Sequence, residues 1–101
     1  MDFGLNLKDL EILKSSLETF LNKGGEVFIF GSRARGTHKR YSDIDILLKG
    51  NIELVEVGLI SERLENSNLP YKVDLVRDVD LATSYRPKIY AEMKPLLFVQ
   101  K

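Results

Sequence analysis

Three aspartates stand where a folded chain rarely leaves acids without a purpose. Asp43 and Asp45 flank Ile44 in "YSDIDILLK", and Asp74 sits inside the apolar run "KVDLV". Side chains two apart on a strand share a face, so Asp43 and Asp45 point one way while Ile44 and Ile46 point into a core. Two carboxylates side by side repel, and partial burial pushes one of them towards protonation. A divalent cation removes that conflict; Mg²⁺ is hard, prefers oxygen, and binds through one or two carboxylates plus substrate phosphates. Uncompensated burial of a charge is costly, so Asp74 at the centre of an apolar strand also needs a reason. If its strand lies beside that of Asp45, the three carboxylates meet on one face and could hold two metal ions. One ion would activate an attacking oxygen and the other would stabilise a phosphate and its leaving group.

A complementary set precedes the aspartates. In "FIFGSRARGTHKRYSD", Gly31-Ser32 ends an apolar run where a short helix could begin. Glycine lets backbone approach a phosphate closely, and free N–H groups at a helix start point towards anions. The Ser32 hydroxyl adds a donor, and Arg33, Arg35, His38, Lys39 and Arg40 bring positive charge to the same mouth. A triphosphate carrying Mg²⁺ matches such a turn beside an acidic cluster. Taken singly, each piece has a plainer reading: Asp-x-Asp as a solvated or capping pair, Gly-Ser as a turn, the basic run as a solvated loop, Arg33 and Arg35 as partner contacts.

The elements that must position these residues are legible in outline. Leu10, Leu13, Leu17, Phe20 and Leu21 recur at helical spacing. With Asn6 as cap and Gly24-Gly25 as stop, this predicts a helix over about 7–23. "EVFIF" reads as a buried strand, "SDIDILLK" as a second, and "YKVDLV" as a third. Residues 52–66 predict a helix with Ile52, Val55, Leu59, Ile60 and Leu64 inward. Beyond the third strand, Asp78 or Asp80 is a candidate cap for a short helical piece through Ser84. Pro87 suits the first turn of a helix in "PKIYAEMK", and "PLLFVQ" is extended. The expected fold is α/β of the α+β type: a small mixed sheet of three to four strands with helices packed against it.

Length and composition narrow the function. The 101 residues suit one domain, 1–101, with one modest core. Lys+Arg and Asp+Glu are equal at 15 each, which disfavours binding nucleic acid through bulk phosphate neutralisation. There is no cysteine, so a disulfide scaffold and a thiolate metal site are excluded. The polar, acidic start "MDFGLNLKDLEI" is unlike a secretory signal, and no apolar run approaches the roughly 20 residues that span a bilayer, so a cytoplasmic protein is expected. The patterns G-x-x-x-x-G-K-[ST] and G-x-G-x-x-G are both missing, which disfavours a P-loop kinase and a dinucleotide-binding domain.

As a linked set, Gly31-Ser32, ten intervening residues, Asp43-Ile44-Asp45 and a later strand bearing Asp74 resemble the DNA polymerase beta nucleotidyltransferase superfamily. The string "GSRARGTHKRYSDIDILL…LPYKVDLV" is similar to its small stand-alone branch, the minimal nucleotidyltransferases of the MNT type, and the likeness covers about 5–100. Prokaryotes commonly encode these beside a helical HEPN protein as a toxin–antitoxin pair. The resemblance implies Mg²⁺, two ions, and transfer of AMP from ATP. By matched position, Asp43, Asp45 and Asp74 would be the catalytic, metal-ligating carboxylates, with Asp74 also a candidate general base. Gly31 and Ser32 would bind the triphosphate and Arg33 would contact phosphate. The implied acceptor is a tyrosine of a HEPN-type toxin, with no membrane or direct nucleic-acid partner and a homo- or hetero-oligomer open. Two alternatives stay open: an antitoxin that neutralises by binding alone, and an adenylyltransferase for a small molecule.

Overall fold

A computed structural model describes residues 3–96. Helix α1, Leu7–Asn22, starts at a reciprocal cap: the Asn6 side chain accepts the Asp9 N–H at 2.8 Å and the Asp9 carboxylate accepts the Asn6 N–H at 3.1 Å. Two of the orphan donors at the helix start are thereby satisfied. Leu13, Leu17 and Phe20 form its buried stripe. The helix stops at Lys23, and Gly25 is required there, because a Cβ would lie 2.4 Å from the Phe20 ring.

Strand β1, Glu26–Phe30, leads into a four-residue helix α2, Ser32–Arg35. Strand β2, Ile44–Lys49, and helix α3, Leu54–Glu65, follow, then strand β3, Val73–Arg77. A 3-10 turn at Asp78–Asp80, helix α4, Arg86–Glu92, with Pro87 in its first turn, and a two-residue strand β4, Lys94–Pro95, complete the order. The extended reading of "PLLFVQ" falls partly on β4; its last residues, Phe98 among them, lie outside the described residues.

The sheet order is β3-β2-β1-β4, with β2 and β3 parallel and β1 antiparallel to both β2 and β4. It is the expected mixed sheet. Ile44, Ile46 and Leu48 of β2, with Val27 and Ile29 of β1, cluster with Leu13, Leu17 and Phe20 of α1 and Ile60 and Leu64 of α3. That places both long helices against one face. On the other face Phe30 of β1 pairs with Asp45, and Asp45 with Asp74. Among the described residues no helix is long and apolar enough to cross a membrane.

Helix α3 departs from expectation in its orientation. Ile60 and Leu64 are buried, but Val55 is 76% and Leu59 53% exposed. The stripe that meets the core runs through Val57, Ile60 and Leu64, spaced three and four apart. Val55 and Leu59 form a second stripe about 100° or more away around the same helix. With Leu69 and Tyr71 they border a groove of about 800 Å³ on the α3 side.

Candidate active site

The sheet topology brings the three aspartates to one end. Asp45 and Asp74 are direct Cα partners across the parallel β2/β3 ladder, so their side chains rise from the same face of neighbouring strands. Asp43 lies just ahead of β2, which begins at Ile44, and is exposed; Asp45 is half-buried. The side chain of Asp74 keeps 43% of its surface open, with the Lys72 ammonium 3.7 Å from its Oδ1.

Gly31 explains its own presence. Its φ of 77° and ψ of −155° are denied to ordinary side chains, and a Cβ there would stand 2.4 Å from Oδ2 of Asp45. The backbone of the Gly-Ser turn thus lies directly against the central carboxylate. Helix α2 then spans one turn, with the Arg35 N–H donating to the Gly31 carbonyl at 3.1 Å and Gly36 in the left-handed region closing it.

Arg33, which the resemblance sets against phosphate, is turned into the protein here. It is 1% exposed. Its Nε and Nη2 donate to the Ser42 carbonyl at 3.2 and 2.9 Å, Nη1 donates to the Phe3 carbonyl at 2.9 Å, and its Cζ lies 4.5 Å from the centre of the Tyr71 ring. The guanidinium ties the N-terminal segment to the residue before Asp43. Alternation on so short a helix leaves Arg35 to face the acids. Its Nη1 donates to Glu92 Oε1 at 3.0 Å, and it is the cation that opposes the raised pKa of Asp45.

Glu92, the last residue of α4, is the member that sequence reasoning missed. Besides Arg35 it accepts the Gly31 N–H on Oε2 at 2.8 Å. Nothing local marks it; an acid ending "PKIYAE" reads as a solvated helix end. Tertiary pairing brings it here. β4 runs antiparallel to β1 with Ile29 opposite Lys94, and the same register continued two residues sets position 92 opposite position 31.

The site is electrostatically unbalanced. Burial, then the neighbouring charges of Asp74, Asp43 and Glu92, raise the Asp45 pKa, with only Arg35 opposing. For Glu92 the burial cost is outweighed by the Gly31 N–H and Arg35, which hold its carboxyl below the ordinary glutamate range. Among the described residues no group of three or more His, Cys, Asp or Glu side chains is already closed around a metal position. The donor chemistry nevertheless fits a hard divalent cation: the acids are all-oxygen ligands and crowd one another enough to raise Asp45, a conflict such a cation relieves.

Against known proteins, residues 10–98 match the family model described as a nucleotidyltransferase domain. A curated relative from Haemophilus influenzae, named "Probable protein adenylyltransferase MntA", is 32% identical over 71 residues, 68% of this chain; the match spans only 61% of that relative's length. Among solved structures, one protein described provisionally as a minimal nucleotidyltransferase superposes with a TM-score of 0.67 and 28% identity, covering 91% of this chain and 97% of its own. A chain from a crystal structure of a toxin–antitoxin with AMP-PNP gives a TM-score of 0.63 and 25% identity, covering 86% of this chain and 74% of its own.

Proposed function

This chain belongs to the nucleotidyltransferase domain family, and from that premise we propose that it transfers AMP from ATP to a tyrosine of a partner protein, a HEPN-type helical toxin, and so acts as the antitoxin. The observation that carries the reading is the Asp45–Asp74 register with the Gly31 turn against Asp45. The turn and the acids are opposite halves of one nucleotide site. The protein acceptor and the toxin partner draw support from the adenylyltransferase name of the curated relative and from the toxin–antitoxin structure with AMP-PNP.

In this reading Asp43, Asp45 and Asp74 would hold Mg²⁺, two ions. The metal, when bound, supplies charge neutralisation on the triphosphate and polarises the reacting oxygens. Gly31 and Ser32 lie along the phosphates, and Arg35, not Arg33, supplies the arginine contact. Asp74, whose side chain is 43% open, takes the proton of the acceptor hydroxyl. The hydroxyl oxygen bonds to the α-phosphorus, the bond from that phosphorus to the bridging oxygen breaks, and pyrophosphate leaves with the electron pair. Binding energy from the phosphates is spent on alignment, which is the main catalytic resource in such transfers.

Incubation with Mg²⁺, α-labelled ATP and the helical partner should label a partner tyrosine, and Asp45→Ala with Asp74→Ala should abolish the label while the complex still forms. A second reading, neutralisation by occlusion alone, is favoured by the exposed Leu54, Val55 and Leu59 of α3. The two part on one result. If Asp43→Ala with Asp45→Ala neutralises the partner fully and wild type leaves no label with any nucleotide, AMP transfer is wrong.

A further inference from the structure

Glu92 has a task that the three aspartates do not share. Its two carboxylate oxygens take the Gly31 N–H at 2.8 Å and the Arg35 guanidinium at 3.0 Å, two donors that converge on one anion position. The side chain is 14% exposed, against 44% for Arg35, so the bond to the turn is sheltered while its cation remains reachable. The antiparallel β1/β4 ladder fixes this placement. The following residue, Met93, is already extended and leads into β4.

We propose that Glu92 is a built-in stand-in for phosphate that a nucleotide must displace from the Gly31 N–H and Arg35. This rests on the nucleotide reading of the site above. A carboxylate and a phosphate oxygen want the same donors, charge-assisted N–H groups. Both cannot sit on the Gly31 N–H at once. A ligand that meets a site open only part of the time binds more weakly by that fraction. Every ligand whose phosphate takes these donors meets the same factor.

The test is the binding of AMP-PNP, ADP and AMP, each with Mg²⁺, to full-length wild type, Glu92→Gln and Glu92→Ala by calorimetry, with melting curves to confirm that the variants fold. Neutralising Glu92 should tighten AMP-PNP about tenfold, the factor expected if the donors are free about a tenth of the time, and should tighten by the same factor any shorter nucleotide whose phosphate takes the same donors. Affinity unchanged or weakened in both folded variants overturns the proposal and makes Glu92 a positioning residue for Arg35. If neither wild type nor variants bind any nucleotide, the nucleotide reading falls and the proposal with it. If only the variants bind, both stand.

Discussion

Replacing Asp45 by Asn should stabilise the fold while it disables the site. Asn keeps the side chain's size and removes its charge. Burial first, and then Asp74, Asp43 and Glu92, raise the Asp45 pKa above 3.8, its ordinary value. The native state therefore holds the Asp45 proton more tightly than the unfolded chain does. Below the unfolded pKa the group is neutral in both states and costs nothing. As pH rises through the raised native pKa the penalty grows to its full size, and it persists at neutral pH. Adjacent strands lie about 4.8 Å apart. Two carboxylates about 5 Å apart repel by about 0.8 kcal/mol in water and about 3 kcal/mol at an effective dielectric of 20. Asp74 is 43% open, so solvent screens the pair and the lower end applies, about 1 kcal/mol. For a domain of this size that is a rise in Tm of about 4–8 °C.

Thermal melts by circular dichroism, with EDTA and without nucleotide, read this directly. At pH 7 Asp45→Asn should melt higher than wild type, and by pH 3.5 the two curves should converge. Mg²⁺ with AMP-PNP should then raise the wild-type Tm and leave the variant near its starting value, because the cation relieves a repulsion the variant no longer has. A variant that melts at or below wild type at pH 7, or a difference that ignores pH, refutes the claim that the carboxylates crowd one another.

Arg33→Lys should cost about 2–4 kcal/mol in urea unfolding at an unchanged m-value, because one ammonium cannot satisfy both the Ser42 and Phe3 carbonyls and leaves the Tyr71 face. By contrast Arg35→Ala should leave the unfolding midpoint nearly unchanged and weaken AMP-PNP binding at least tenfold. On α3, Ile60→Ala should lose about 2–4 kcal/mol, and Leu59→Ser one position away should stay within about 0.5 kcal/mol; comparable losses at both would mean that the helix is turned the other way.

What the sequence discloses here depends on how local the deciding interaction is. Asn6 caps α1 through a residue three positions on, so chain-local chemistry suffices to place the helix start. Asp74 stands out because an acid amid Val73, Leu75 and Val76 contradicts its own neighbours, and its strand proves to be the parallel partner of β2. Helix α3 defeats pattern reading because two apolar stripes overlap on it. Val55 and Leu59 are as hydrophobic as Ile60 and Leu64, and only the position of α1 and the sheet decides which pair is buried. Arg33 and Arg35 are chemically alike, and the carbonyls of Phe3 and Ser42, far apart in the chain, choose the one that goes inside. Glu92 reaches Gly31 across 61 residues through a two-residue strand, a signal no local window carries.

The architecture of the site follows from strand direction. β1 delivers Gly31 at its C-terminal end, β2 runs antiparallel and delivers Asp45 near its start, β3 runs parallel to β2 and delivers Asp74, and β4 is preceded by Glu92. All four strands therefore put a functional group at one end of the sheet. Asp43, Asp45, Asp74 and Glu92 gather four negative charges there, and Arg35 alone opposes the rise in the Asp45 pKa. A sheet end arranged this way is unsatisfied in itself. Arg35 and the Gly31 N–H are held by Glu92, and the aspartates repel. A metal-bearing triphosphate would answer both defects at once, its oxygens replacing Glu92 on the donors and its cations pairing the aspartates. Neutralising Asp45 relieves the crowding of the acids, whereas neutralising Glu92 gives up the bonds that favour its charged form and frees the donors.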